Sequence, residues 1–491
     1  MNDQQPNIVY ILADDMGYGD VSCLNEESKI RTEQLDRLAA AGMRFSDAHA
    51  SSAVCTPSRY SLLTGRYNWR SALKQGVTWG YSGPLLEPDR LTVAAFLQQQ
   101  GYHTACFGKW HLGWTWARGD GPTDESGLTG ANVDFSQPIA AGPTSVGFDY
   151  FFGISASLDM EPYVYIENER VTAVPDRVIP ASGGKEMWRA GPISPDFAHE
   201  QVLPNLTERA VAYIDQRAEQ AEPFFLYFPL PAPHTPILPT AEFLGKSGTN
   251  SYGDFCLQVD DLVGQLMAAL DRNGLTENTI FIFTSDNGCS PRVDFAELAA
   301  LGHRPSYHFR GHKADIYEGG HRIPLLVRWP AVIEAGAICR ETVCLVDLLA
   351  TCADILGQPL PDDAGEDSVS NLPVWQGQTL AGPLREATVH SSVDGSLSIR
   401  QGRWKLEMCP GSGGWSYPRP GPECEGLPPL QLYDLATDIG EQTNVAADQP
   451  AIVERLTDLL SDYIRHGRST PGRPQPAELP SDWSQVWWLN S

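Results

Sequence analysis

Five stretches of the chain are apolar without alternation: 7–13, 103–107, 223–228, 279–284 and 323–328. Unbroken apolar runs of this length belong to strands covered on both faces, as in a parallel sheet between two layers of helix. Between them the apolar spacing becomes helical. Residues 32–43 place Leu35, Leu38 and Ala39 on one face, 92–100 stop at Gly101, and 252–273 stop at Gly274, glycine being the residue that most readily closes a helix. Strand and helix in alternation predict an α/β fold, a large doubly wound, mostly parallel sheet sandwiched by helices. Ligand chemistry in such a sheet gathers at the carboxyl ends of its strands. Towards the C-terminus the texture changes. Runs 396–400 and 404–406 read as short antiparallel strands and 451–466 as an amphipathic helix. The expectation is a main α/β domain over 1–375 and a smaller C-terminal α+β subdomain over 376–491 carrying an antiparallel sheet. The Gly-, Pro- and Asp-rich stretch 118–146 reads as an insertion or an active-site loop.

Composition narrows this picture. At 491 residues the chain exceeds one ordinary core, and no apolar run approaches the roughly 18 residues of a membrane span. The net charge of −26 argues against nucleic acid or an anionic membrane as partner. Any anionic substrate must therefore be met by a local positive island, which favours a small molecule or a chain end over a long polyanion. The ten cysteines show no C-x-x-C pair or zinc spacing; Cys409 and Cys424 are the candidates for a single bridge near the C-terminus. The first strand begins at residue 7 without a basic, apolar and small-residue leader before it. The chain is then cytoplasmic if complete as given, and periplasmic or secreted if an export signal has been removed.

Candidate chemistry lies just beyond the predicted strands. Asp14-Asp15 closes the first; two adjacent carboxylates are costly unless a cation sits between them, although Asp also opens ordinary turns. Ser285-Asp286-Asn287-Gly288 follows another strand and adds two oxygen donors, a set that suits calcium or magnesium. Lys109 and His111 follow the 103–107 run, and His234, in Pro233-His234-Thr235-Pro236, follows 223–228. Histidine donates a proton near neutral pH, as the expulsion of an alkoxide requires, although a Pro-rich turn also carries an incidental His. Lys313 is a natural clamp for an anionic oxygen.

Cys55 changes the reading most. Alone, a Cys packs as a small hydrophobe. Here it begins Cys55-Thr56-Pro57-Ser58-Arg59, followed by Leu62-Leu63-Thr64-Gly65-Arg66. Pro57 suits a first helical turn, where backbone donors and the dipole favour an anion, and Arg59 falls on the same face as Cys55. This motif resembles the signature of the formylglycine-dependent (type I) sulfatases, of the alkaline-phosphatase-like superfamily. Segments 7–20, 55–66, 108–113, 284–288, 311–322 and 432–444 resemble that family in the same order.

The resemblance implies that a maturation enzyme, the formylglycine-generating or sulfatase-maturing enzyme, converts Cys55 to 3-oxoalanine (formylglycine), whose hydrate attacks sulfate esters. It places metal ligands, for Ca2+ before Mg2+, on Asp14, Asp15, Asp286, Asn287 and modified Cys55. It places catalytic roles on Arg59, Lys109, His111, His234, Lys313 and Asp286, with sulfate held by Lys109, His234 and Lys313. The family's serine matches Ser157, with Ser155 close by. The implied substrate is a carbohydrate sulfate ester, small or terminal and attacked from the chain end, of the galactose or N-acetylgalactosamine type. Trp79, Trp114 and Trp116 are either sugar platforms or core residues, and the Trp483 to Trp488 segment docks on its own domain or on another subunit. Two other readings stand beside this one: a phosphonate monoester or phosphodiester hydrolase of the same fold, and a catalytically silent binder of sulfated glycans.

Overall fold

The computed structural model describes residues 5–122, 124, 126–475 and 483–489. At its centre is a ten-stranded sheet. Five strands form its parallel middle, in spatial order Thr279–Ser285, Asn7–Ala13, Phe224–Pro229, His103–Lys109 and Tyr150–Ile154. Side chains of the Asn7–Ala13 strand alternate between two cores. Val9, Ile11 and Ala13 pack on the side of helices Glu33–Ala40, Val202–Arg217 and Ser251–Arg272. Ile8, Tyr10 and Leu12 pack on the side of Cys55–Thr64, Val93–Gln99 and Leu348–Ile355. Burial on both faces is why these strands carry unbroken apolar sequence. Among the described residues no helix is long and apolar enough to cross a membrane.

The 323–328 run does not join the parallel middle. Leu325–Arg328 runs antiparallel to Thr279–Ser285, pairing Thr284 with Leu325 and Phe281 with Arg328. A parallel return needs a crossover to the opposite edge of the sheet, whereas the connection 286–324 stays at the edge it left, with Asp286 and Lys313 both bonded to Asp15 there. The chain re-enters the sheet at the end it left, with Leu325 beside Thr284, and a strand covered on both faces carries the same apolar pattern in either direction.

A separate antiparallel sheet, in the order Thr388–Ser391, Leu397–Gln401, Trp404–Glu407 and Gln431–Asp434, forms near the C-terminus. Val389, Ile399, Leu406 and Leu432 of this sheet share a core with Leu456, Leu460 and Ile464 of helix Pro450–His466. Trp483, Val486 and Trp488 enter the same core, so the tail docks on its own chain. Lys405, fully buried in this sheet, donates to Glu441 Oε1 at 2.7 Å and lies 3.3 Å from carboxylate oxygens of Glu318 and Glu407. Glu441 in turn accepts a hydrogen bond from Glu318 N at 2.7 Å. The small sheet thereby grips the 311–322 segment that carries Lys313.

Cys409 and Cys424 are both free. Each thiol instead donates to a local carbonyl, Gly411 O and Arg419 O, at 3.3 Å.

Candidate active site

The parallel strands deliver their last residues to one edge of the sheet. Asp14 and Asp15 follow Ala13, Asp286 and Asn287 follow Ser285, His234 lies beyond Pro229, and Lys109 is the final residue of its strand. Backbone bonds fix the strand exits to one another: Asp286 N donates to Ala13 O at 3.0 Å and Asp14 N to Ala232 O at 2.9 Å. The loop after Asn287 is pressed against the Lys313 segment at Gly288, whose N donates to Gly320 O at 2.9 Å. A Cβ at Gly288 would lie 1.9 Å from Gly319 O, so only glycine allows that approach.

Cys55 begins a helix, Cys55–Thr64, whose residues are all buried. Its Sγ donates to Asp14 Oδ1 at 3.5 Å and accepts from Lys313 Nζ at 3.4 Å. Burial pushes this thiol up to about 12, against the pull of Lys109 and Lys313. As encoded, Cys55 is thus a protonated thiol, and the thiolate is the nucleophilic form.

Arg59, one turn along and fully buried, donates Nε and Nη2 to Asp286 Oδ2 at 3.2 and 2.7 Å and Nη1 to Lys109 O at 3.0 Å. Its Nη2 also lies 3.7 Å from Asp14 Oδ1. Lys109 Nζ donates to Asp14 Oδ2 at 2.5 Å and to Ser157 Oγ at 3.2 Å, and Ser157 Oγ lies 3.2 Å from His234 Nδ1. It is therefore Ser157 that stands between Lys109 and His234; Ser155 meets His111 N through its carbonyl at 3.0 Å. Lys313 Nζ pairs with Asp15 Oδ1 at 2.6 Å, and His234 Nε2 lies 3.5 Å from Asp15 Oδ2.

Burial alone would raise the Asp14 carboxyl, but Lys109, His234, Arg59 and Lys313 hold it well below the usual range. Asp286 goes the other way, up to about 7, driven by burial and by the charge on Asp14. Asp14 therefore keeps the charge of this coupled pair. Burial, with Lys109 and Arg59 adding to it, drives His111 well below its ordinary value, so it is neutral. Its Nε2 donates to Thr78 O at 2.8 Å, which leaves the lone pair on Nδ1, a buried atom without a hydrogen-bond partner.

Ligand atoms of Asp14, Asp15, Cys55 and His234 lie within 4.8 Å of one another. Asn287 directs Nδ2 to Asp15 Oδ1 at 2.7 Å, and its buried Oδ1 has no partner. Asp286 borders this group with Oδ2 turned to Arg59 and Oδ1 accepting from Asp15 N at 3.2 Å. An orphaned amide oxygen beside converging carboxylates fits a hard, oxygen-seeking cation.

The sequence matches the Sulfatase family over residues 6–358. The chain belongs to the sulfatase family. It is 36% identical to an N-acetylgalactosamine-6-O-sulfatase of Bacteroides thetaiotaomicron, over 94% of this chain and 93% of that protein. It is 34% identical to arylsulfatase A of Homo sapiens, over 92% of this chain and 87% of that one. A solved sulfatase from glycosaminoglycan metabolism of Bacteroides thetaiotaomicron superposes with a TM-score of 0.81 at 34% identity, covering 94% of this chain and 99% of that chain. The chain is accordingly a sulfuric ester hydrolase of a family that works with a formylglycine and a divalent metal.

This sulfatase opens to solvent through a cleft of about 910 Å³ lined at its floor by the largely buried Cys55, His111, Ser157, His234 and Lys313. Trp79 lines it, but Trp114 and Trp116 do not. They are buried against Phe151 and Phe135, with indole N–H groups on Ser155 O and Gly80 O at 3.2 and 3.0 Å. No described residue of 118–146 lines the cleft; this stretch packs beside those tryptophans, and its residues 123 and 125 lie outside the described residues. Three contributors escape sequence reading. Thr78 acts through its carbonyl, which no side-chain pattern signals. Asp159 and Arg189, joined by an ion pair, form a wall with the guanidinium 4.8 Å above the Trp79 ring. Asp159 stands two residues past Ser157, a spacing that could have flagged it; Arg189 carries no such signal.

His49, His321 and His390 form a second close group, but the sulfatase binds no metal through it in the arrangement seen. His321 and His390 stack at 3.8 Å with planes 7° apart, so their lone pairs run side by side and do not converge. Lys405 Nζ lies 3.1 Å from His321 Nε2, His321 Nδ1 lies 3.0 Å from His49 Nδ1, and His49 Nε2 lies 2.8 Å from Asp47. This is a hydrogen-bonded chain joining Lys405 of the small antiparallel sheet to the short strand Ala48–His49.

Proposed function

We propose that this sulfatase hydrolyses a sulfate ester on a small or terminal sugar of the galactose or N-acetylgalactosamine type, acting from the chain end. The sugar class is carried by one observation, the near full-length similarity to an N-acetylgalactosamine-6-O-sulfatase. Chain-end action is favoured by the net charge of −26, which repels a long polyanion laid across the surface.

Asp14, Asp15, Asp286, Asn287 and oxidised Cys55 would hold calcium, whose oxygen preference matches this donor set. When bound, that ion supplies positive charge beside the reacting oxygens. Oxidation of Cys55, as the hydrate, supplies two hydroxyls on one carbon where an ordinary Ser or Cys offers one group. Asp286 accepts the proton of the hydroxyl that meets sulfur. Lys109 and Lys313 donate to the sulfate oxygens, with His234 and the Ser157 hydroxyl beside them. Pre-placed donors of this kind are the main resource for transfer of a tetrahedral oxyanion group. His234, with Lys313, delivers a proton to the departing sugar oxygen. His111 Nδ1 removes the proton of the second hydroxyl, which restores the aldehyde and frees sulfate. Because Cys55 is only 2% exposed, the maturation enzyme must reach it before the chain closes over it.

The test is sulfate release, followed by ion chromatography, from 6-sulfated N-acetylgalactosamine and galactose, their 4-sulfated isomers and 6-sulfated N-acetylglucosamine. Preference for a galacto-configured sulfate is expected. Equal or better turnover of the gluco-configured ester, or turnover of aryl phosphonates orders of magnitude above any sulfate, would overturn the reading.

A further inference from the structure

Among the described residues of the tail beyond the C-terminal helix, Trp483 and Gln485 connect to two segments of the cleft wall. The turn 392–396 between strands Thr388–Ser391 and Leu397–Gln401 is the hub. Gly76 N donates to Val393 O at 2.8 Å, and Val393 N donates to Ala314 O, beside Lys313, at 2.9 Å. Gly76 and Val393 both line the cleft. On the outer side of the turn, Gln485 Nε2 donates to Asp394 O at 2.7 Å. Gly395, at φ +83°, sits so close to the neighbouring loop that a Cβ there would lie 2.3 Å from Lys74 O.

Lys74 ties that loop to the tail as well. Its Nζ donates to Trp69 O and Ser71 O at 2.6 and 2.9 Å and lies 4.6 Å above the Trp483 ring. Trp483 also stacks on Trp69 at 6.1 Å between centroids. One buried indole and one amide thus hold the outside of both segments whose inner sides meet the ligand.

We propose that Trp483 and Gln485 are positioning residues for substrate: the tail clamps the 392–396 turn and the 74–77 loop into one wall of the cleft and so sets affinity for the sugar, not the chemistry at residue 55. This rests on the reading of the cleft as the seat of a sulfated sugar. A wall held from behind loses definition when its clamp is removed, while the strand-end cluster keeps its own bonds. The perturbation therefore falls on substrate binding, which is the meaning of a raised KM at constant kcat.

The test compares Gln485→Ala, Trp483→Ala and a chain lacking 483–491 with the parent, on the best sugar sulfate and on 4-nitrophenyl sulfate. Losing one hydrogen bond predicts a rise in KM of roughly fivefold for Gln485→Ala on the sugar, with kcat within about twofold and aryl sulfate turnover little changed. The melting temperature certifies each variant as folded; should the shortened chain not fold, the point variants decide. Unchanged KM on the sugar, or equal losses of kcat on both substrates, would overturn the proposal. Failure of the sugar reading shows earlier and separately, as a parent enzyme that cleaves aryl sulfate and no sugar sulfate. The clamp is then read from a bulky against a small aryl sulfate, with the same split expected and the same outcomes overturning it.

Discussion

Replacing Arg59 with alanine would strip a guanidinium from carboxylates that have no solvent to fall back on. Asp14 and Asp286 are both at 0% exposure, and Arg59 supplies Asp286 Oδ2 with two hydrogen bonds, at 2.7 and 3.2 Å. At pH 8, above the value of about 7 at which Asp286 ionises beside Arg59, removing this partner of a buried ion pair costs up to about 3–5 kcal/mol, because the carboxylate is left uncompensated or must take up a proton. At about 2.1 cal/mol/K per residue, the unfolding entropy of 491 residues comes to about 1 kcal/mol/K if the chain melts as one unit. Arg59→Ala should then lower the melting temperature by about 3–5 °C. The assay is calorimetry in EDTA, since a bound cation would itself neutralise the orphaned carboxylates. The double variant Arg59→Ala/Asp286→Asn removes the orphaned charge and should recover much of the loss, a coupling that independent sites do not show. Arg59→Ala melting within 1 °C of the parent, or a double variant no better than the single one, would refute the reasoning.

Gly288→Ala forces its Cβ towards Gly319 O; a loss of about 1–3 kcal/mol of stability and weaker calcium affinity through the displaced Asn287 are expected, read by melting and by calcium titration of activity. Removing calcium with EDTA should lower the melting temperature by about 3 °C relative to enzyme at a hundredfold excess over Kd, since such an excess contributes about 2.7 kcal/mol, and calcium should restore it better than magnesium. Acid should destabilise the fold through buried neutral histidines. Burial holds His49, with Arg322 adding to it, and His199 at about 4, below the unfolded value of 6.5. The unfolded chain therefore binds these protons first, and the stability present above pH 6.5 is lost as pH falls towards 4. The loss is about 3 kcal/mol for each, and a melting temperature that stays flat from pH 7.5 to 4.5 would contradict it.

What the chain discloses by itself is mostly local. The run ending at Ala13 and the carboxylates after it are neighbours in sequence, so strand and candidate ligands are legible together. Cys55, Pro57 and Arg59 declare a helix start beside an anion site within five residues. Long-range facts are not written that way. The direction of Leu325–Arg328 depends on the connection before it staying at the edge of the sheet that carries the site, and its apolar residues look alike either way. Trp114 and Trp116 are identical in kind to Trp79, yet only the folded chain says which of them faces the cleft. The His111 tautomer depends on the carbonyl of Thr78, a backbone group brought there by a different loop. The tail tryptophans likewise acquire meaning only from the turn and loop they hold.

The central claim is that the working side chain at position 55 is not the encoded thiol. Mass spectrometry of the peptide containing residue 55, taken from preparations of different specific activity, tests it most directly. A formylglycine is expected at that position, in a fraction that rises in proportion to sulfate ester turnover. Full activity with an unmodified Cys55 would contradict it.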